Sequence, residues 1–86
     1  MKVRLEAYLF ARDGERSMVR VVDMPAPPVI GLQIVGDDWE IEVSRVFFAP
    51  TSGDYRASCK GARDEERSIA DVIRALESDG WRAAAT

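Results

Sequence analysis

Residues 37–50, which read DDWEIEVSRVFFAP, decide the fold. The apolar positions of one parity in this stretch are Trp39, Ile41 and Val43. They alternate with polar residues, and a period of two predicts a strand with one buried face. The alternation then shifts by one residue. Trp39, Ile41 and Val43 are at odd positions, whereas Val46 and Phe48 are at even positions, so a regular strand would place the two sets on opposite faces. A β-bulge near Ser44 and Arg45 would return the apolar side chains to the buried face and bend the sheet.

The composition indicates a single small domain. The 86 residues include 47% hydrophobic and 31% charged residues, so we predict one domain, residues 1–86, with a core closed without metals or disulfides. The net charge of -3 argues against nucleic acid as a partner. Cys59 is the single cysteine and cannot form an internal disulfide. Neither a signal-peptide pattern nor a membrane-length apolar run occurs, so we expect a cytoplasmic protein without membrane contact.

Four further segments alternate in the same way and are separated by turn residues. They are residues 2–11, 16–24, 29–35 and 55–60. Asp13 and Gly14 lie between the first two segments, and this pair is a strong hairpin signal. The prolines within residues 25–28 end the second strand, because proline cannot donate to a sheet ladder. Each connection is short enough for sequential antiparallel pairing of about five strands.

The last third of the chain changes from a period of two to helical spacing. One apolar stripe is formed by Ile69, Val72, Ile73 and Leu76. We predict that Asp64 caps the start of this helix, and that Gly80 ends it in a left-handed conformation with Trp81 packed near Leu76. The predicted fold class is therefore α+β: a bent antiparallel sheet of about five strands, forming a partly open barrel, with one C-terminal helix.

Residue patterns that carry chemistry are scarce in this chain. Histidine is absent, which removes the commonest general base and metal ligand. Cys59 shares its parity with Tyr55 and Ala57, so we expect a buried structural thiol. The acidic clusters match no calcium loop, and the glycines match no phosphate-binding loop. We therefore predict that the protein is not an enzyme and has no catalytic residue, no cofactor and no metal ion.

Aromatic residues on the second face of the sheet are the feature that indicates binding. Tyr8 and Phe10 have the parity opposite to the apolar face of their strand, and Phe47 has the parity opposite to Phe48. Three arginines flank this candidate patch: Arg4, Arg12 and Arg45. Aromatic residues and arginine are enriched at protein interfaces. The alternative is that a strongly curled sheet, or the helix, covers these aromatic side chains.

The central third of the chain resembles a group of short proteins found in phages and mobile elements. The residues that carry the resemblance are VDMPAPPVIG at 22–31, Trp39-Glu40-Ile41, and Val46 to Pro50. In that group an Asp-Gly hairpin precedes a proline-rich connector, a Gly/Asp turn, a strand containing tryptophan and a strand ended by proline. The resemblance covers residues 3–50 and implies a small SH3-like barrel. It implies no activity and transfers no functional residue.

These observations predict a small accessory module that binds another protein, or itself as a homodimer formed by pairing of edge strands. The first alternative is contact with single-stranded nucleic acid, through bases stacked on aromatic side chains of the barrel face. That alternative requires four arginines on one side of the barrel: Arg4, Arg20, Arg45 and Arg56. The second alternative is an acidic inhibitor that imitates a phosphate surface, and it rests on net charge alone.

Overall fold

A computed structural model describes residues 1–61 and 63–84. Within these ranges, six strands form one sheet and a single helix packs against it. The elements are β1 (Lys2–Ala11), β2 (Gly14–Asp23), β3 (Gln33–Val35), β4 (Glu40–Ala49), β5 (Asp54–Gly61), α1 (Ile69–Glu77) and β6 (Arg82–Ala83). The sheet curls into a half-barrel, so the prediction of an α+β, partly open barrel with a C-terminal helix is confirmed.

The sheet is mixed, whereas the sequence predicted a purely antiparallel one. Its strand order is β3-β4-β5-β1-β2-β6. β1 lies at the centre, antiparallel to β2 and parallel to β5. The predicted sequential pairing is wrong between β2 and β3, because the connector between them crosses to the opposite edge of the sheet. Strand β6 was not predicted, since two residues are too short to show a period.

The bulge in β4 is confirmed. Val43 pairs with Cys59 and Arg45 pairs with Ser58, so Ser44 is the extra residue. The Ser44 hydroxyl donates a hydrogen bond to the Ser58 carbonyl at 3.0 Å. Beyond the bulge Val46 packs against the same core as Val43. The bulge therefore restores the buried face, as the change of parity requires.

One face of the sheet carries the core, and we call it the inner face. The largest fully buried side chains are Val3, Leu5, Met18 and Val43 from the strands and Leu76 from α1. Each large apolar side chain buried here contributes about 1.5–3 kcal/mol. Cys59 is also buried, as predicted, and this burial raises the pKa of its thiol to about 11. A thiol held protonated in an apolar core is a packing group and not a nucleophile.

The start of α1 differs from the prediction. The helix begins at Ile69, and the Ser68 hydroxyl caps it by accepting a hydrogen bond from the Asp71 amide at 3.2 Å. Asp64 instead accepts hydrogen bonds from the amides of Glu66 and Arg67, at 3.0 and 2.9 Å. Asp64 thus stabilises a bend that precedes the helix. The prediction of Asp64 as the cap is therefore wrong, because Ser68, which is equally favourable at a helix start, lies closer to the first helical turn.

The end of α1 agrees with the prediction. Gly80 has a φ of +91°, and its amide donates to the Glu77 carbonyl at 3.1 Å. The Trp81 amide donates to the Leu76 carbonyl at 3.2 Å, which completes a Schellman ending. Trp81 is buried, and its ring meets Trp39 edge-to-face at 5.5 Å between centroids. The helix end is therefore closed by both hydrogen bonds and aromatic packing.

Candidate protein-binding surface

The second face of the sheet, which we call the outer face, carries the exposed side chains that alternate with the core. Strand register aligns four of them in one row: Phe47 on β4, Arg56 on β5, Arg4 on β1 and Val21 on β2. We call these four residues the arginine row. Neighbouring strands are about 4.8 Å apart, so the row spans about 14 Å.

A depression of about 600 Å³ surrounds the arginine row, and we call it the outer depression. Its lining includes Lys2, Arg4, Val21, Phe47, Phe48 and Arg56. Val21 is 54% exposed and Phe47 is 39% exposed, so apolar surface remains open to solvent between the cations. Large apolar side chains and cations that share one open depression are typical of a binding surface.

The two arginines of the row are neighbours on adjacent strands. Arg4 and Arg56 are register partners across the parallel ladder. The Arg56 guanidinium lies 5.2 Å from the centroid of the Phe47 ring, and among the described residues no carboxylate oxygen lies within 4.0 Å of it. The Arg4 Nε donates to Glu6 at 3.2 Å. Two arginines are therefore register partners on this face, and one of them, Arg56, has no carboxylate partner among the described residues.

A different row on the same face shows the opposite arrangement. Lys60 pairs in register with Glu42, and their charged atoms are 3.8 Å apart. Tyr8 is the register partner of Lys60 on β1. Opposite charges across a ladder stabilise it, as is usual for a solvated sheet surface. The adjacent arginines are therefore not a general property of the outer face.

The predicted aromatic patch divides into two parts. Tyr8 and Phe10 contact each other, with ring centroids 5.1 Å apart. They lie four and six residues along β1 from Arg4, so they are more than about 13 Å along the strand from the arginine row that contains Phe47. The Tyr8 hydroxyl donates to Glu15 at 3.2 Å, and this carboxylate raises the pKa of Tyr8. The structure therefore does not bring Tyr8 and Phe10 together with Phe47.

The arginines predicted to flank the patch also separate. Arg4 belongs to the arginine row, and Arg45 lies on the outer face beside Ser58. Arg12 instead donates to the Glu66 carbonyl at 3.2 Å, beside the bend that precedes α1. Of the arginines required for nucleic-acid contact, Arg20 pairs in register with Leu5 and so lies on the inner face. Only three of those four arginines share the outer face.

A second depression, of about 620 Å³, lies where residues 36–40 face α1. Both of its cations are already paired within the chain. Arg67 donates to Asp64 at 2.5 Å and to the Asp38 carbonyl at 2.9 Å. Arg63 pairs with Glu65 at 3.0 Å. These contacts use the two arginines as supports for the bend, so we treat this depression as a weaker candidate site for a protein partner.

The chemical groups needed for a metal site are not assembled in the part of the chain that the structure describes. No cluster of three or more His, Cys, Asp or Glu residues there is arranged to hold an ion. Residues 1–61 and 63–84 also contain no helix with the length and apolar character needed to cross a membrane.

Val21 and Arg56 are members of the arginine row that the predicted patch did not include. Val21 pairs with Arg4 across the β1–β2 hairpin, and Arg56 pairs with Phe47 across β4 and β5. The two pairs form one row only through the parallel register of β1 with β5, which local patterns do not show. For Val21 the sequence carried one signal, which is the imperfect alternation of β2. A valine at an outward-facing position, where a polar residue is expected, indicates that apolar surface is exposed there. Arg56 carried no such signal.

Comparison of the chain with family models, with curated proteins and with solved structures found no match. The resemblance to short proteins of phages and mobile elements, and to SH3-like barrels in particular, therefore stays a prediction.

Proposed function

We propose that this protein is a small non-enzymatic, cytoplasmic module that binds another protein through the arginine row and the outer depression. The observation that carries the proposal is the open depression in which exposed Val21 and Phe47 lie beside three cations, Lys2, Arg4 and Arg56. Arginine and aromatic residues dominate the energetics of protein interfaces, because they combine apolar area with directed hydrogen bonds.

The Phe47–Arg56 contact supports this proposal. The guanidinium is held over the ring at 5.2 Å, so both side chains have lost part of their conformational freedom before a partner arrives. A pre-ordered surface loses less entropy on binding. Helix α1 packs on the inner face through Val72 and Leu76, and it therefore leaves the outer depression uncovered.

A photo-crosslinking amino acid placed at position 47 tests the proposal in extracts of the native host. The matched control carries the same amino acid at Val35, which is 66% exposed on edge strand β3. We expect a crosslinked protein with the label at 47 and not at 35. That product should disappear when Arg4→Gln and Arg56→Gln are introduced together. Equal crosslinking from both positions would contradict the proposal.

A homodimer is one form that this binding could take. Light scattering over a hundredfold dilution series separates a stable dimer from a monomer. If the partner is a second copy, purified protein labelled at position 47 should crosslink to itself. A monomer at every concentration, with no self-crosslinking, would leave a different protein as the partner.

Single-stranded nucleic acid is the second candidate partner, and one observation favours it. Arg4, Arg45 and Arg56 share the outer face with the aromatic ring of Phe47. Fluorescence anisotropy with a labelled 12-nucleotide oligothymidine tests this candidate. Binding at low salt that weakens as salt rises, and that is lost in Phe47→Ala, would support it. No binding at low salt would eliminate it.

A further inference from the structure

We infer that the arginine row recognises an acidic, extended protein segment, in which carboxylates lie beside a large apolar side chain. This inference rests on the proposed function, and it adds the chemistry of the partner. It is drawn from the charge balance of the outer depression, from the adjacent arginines and from the spacing of the apolar side chains.

The charge of the outer depression is opposite to that of the whole chain. Among the described residues its lining contains three cations, Lys2, Arg4 and Arg56, and one carboxylate, Asp54. The full chain has a net charge of -3. A local positive excess on an acidic protein attracts acidic segments, while the remainder of the surface repels them, and this difference orients a bound partner.

The adjacent arginines need a counter-charge that the described part of the chain only partly supplies. Arg4 has Glu6 at 3.2 Å, but Arg56 has no carboxylate within 4.0 Å among the described residues. A guanidinium stacked on a ring keeps its in-plane N–H groups available as donors. A carboxylate bound beside Arg4 and Arg56 would form charge-assisted hydrogen bonds and supply Arg56 with a counter-charge.

The apolar ends of the row set the length of the segment. Val21 and Phe47 lie at opposite ends of a row that spans about 14 Å, and an extended chain advances about 3.3 Å per residue. A segment of about four or five residues laid across the strands therefore contacts both ends. Its carboxylates would reach the central arginines, and its large apolar side chain would pack on Phe47.

The same geometry favours a protein segment over nucleic acid. Arg4 and Arg56 are adjacent in one row, whereas the other cations of the outer face lie in other rows: Lys2, Arg45 and Lys60. Carboxylates lie among them, and these are Glu6, Glu42 and Asp23. A nucleic-acid strand needs a basic groove that follows several phosphates in succession, and these carboxylates interrupt such a groove. A short acidic segment needs only the two adjacent arginines, where it would share Arg4 with Glu6.

Selection of random 12-residue peptides displayed on phage, against the immobilised full chain, tests this inference. We expect enriched peptides with an excess of Asp and Glu around a large apolar residue. For a synthetic enriched peptide, Phe47→Ala should weaken Kd by about 30-fold, as for an interface hot spot. Arg56→Glu should weaken it by about tenfold or more, and Arg56→Gln by less.

Arg74→Glu is the matched control, because Arg74 is an exposed arginine on α1, which packs on the other face of the sheet. We expect its Kd to stay within about twofold of the parent value, since charges far from a contact contribute little. Circular dichroism of every variant checks that the fold is retained. If Arg74→Glu weakens binding as much as Arg56→Glu, the attraction is non-specific and the inference is wrong.

The remaining outcomes separate this inference from the proposed function. Enrichment of neutral or basic peptides would overturn the acidic partner while crosslinking at position 47 still supports protein binding. No enrichment, with crosslinking at 47 retained, would mean that a folded surface is recognised and not a short segment. Displacement of the peptide by an equal concentration of oligothymidine would overturn the inference in favour of nucleic acid. Loss of specific crosslinking at 47 would contradict the proposed function itself.

Discussion

The α1 side of the sheet and the outer depression differ in how their side chains are used. Where the β1–β2 turn meets the start of α1, Asp13 accepts from the Ile69 amide at 2.6 Å, and just beyond the other end of α1 Trp39 donates to Asp79 at 2.6 Å. In the outer depression, Val21 and Phe47 face solvent beside cations. The contrast teaches that hydrogen bonds between distant segments hold α1 in place at both of its ends. The outer depression keeps groups that do not need each other for folding, as is usual for functional sites.

Leu76→Ala should produce the largest loss of stability and tests the α1 side of the sheet. Leu76 is fully buried beneath α1, so its truncation removes apolar contacts and leaves a cavity. We expect the free energy of unfolding to fall by about 2–5 kcal/mol. Phe47→Ala is the matched change in the outer depression and should cost less than about 1 kcal/mol, since the ring is partly exposed. Urea denaturation measures both, and equal losses would contradict the comparison.

Gly36→Ala should have the next largest effect, because it displaces the indole that joins the turn to α1. A Cβ at Gly36 would lie 2.2 Å from Cε2 of Trp39, so the ring would have to move away from Asp79. We expect a loss of about 1–3 kcal/mol, as for overpacking, and a shift in tryptophan fluorescence. The exposed neighbour Asp37→Ala is the control. An unchanged emission spectrum for Gly36→Ala would show that the ring is not held as described.

Gly80→Ala should have a smaller effect on the α1 side of the sheet. Gly80 has a φ of +91°, which side chains with a Cβ rarely adopt, although the nearest atom to that Cβ would be the Arg20 Nε at 3.6 Å. The cost is therefore conformational, about 1–2 kcal/mol. Gly80→Asn should lose less, since asparagine tolerates left-handed backbone. Thermal unfolding of both variants measures the difference, and an equal loss would indicate steric crowding instead.

Asp64→Asn should have the smallest effect on stability of these substitutions. Its effect should also depend on pH, which tests the bend that precedes α1. Arg67 donates to the Asp64 carboxylate and lowers its pKa from 3.8 to about 2. The folded state therefore favours the ionised form of Asp64. The ionised carboxylate stabilises the fold above about pH 4, and this stabilisation is lost as the pH falls through about 2. The difference in urea midpoint between parent and variant should narrow over this range. Glu65→Gln is the control, and a difference that does not change with pH would contradict this account.

Local signals predicted several features of the fold correctly. The change of parity after Val43 located the bulge at Ser44, because side chains in a strand must alternate about the sheet. Gly80 followed by Trp81 predicted the helix end, because left-handed backbone and an apolar contact occur together there. Each of these signals is contained within a few consecutive residues.

Features that depend on distant pairing were not predicted. Parity placed Phe10 and Phe47 on one face, but the distance between them depends on which strands are neighbours and in what register. The parallel pairing of β1 with β5 set that register, and no local pattern encodes it. For the same reason the sequence selected Tyr8 and Phe10 for the protein-binding site, did not select Val21, and named Arg56 only for the nucleic-acid alternative. The helix cap was predicted at Asp64 and lies at Ser68, because both residue types can accept hydrogen bonds from a first helical turn.

The central position of β1 has a consequence for how the chain folds during translation. Val3 aligns with Tyr55, so β1 leaves the ribosome about fifty residues before its parallel neighbour is made. Until then β1 has only the hairpin contact with β2, and the edge later covered by β5 is exposed and able to pair with other nascent chains. Slower elongation before residue 54 would lengthen that exposed period and should increase aggregation of the nascent chain.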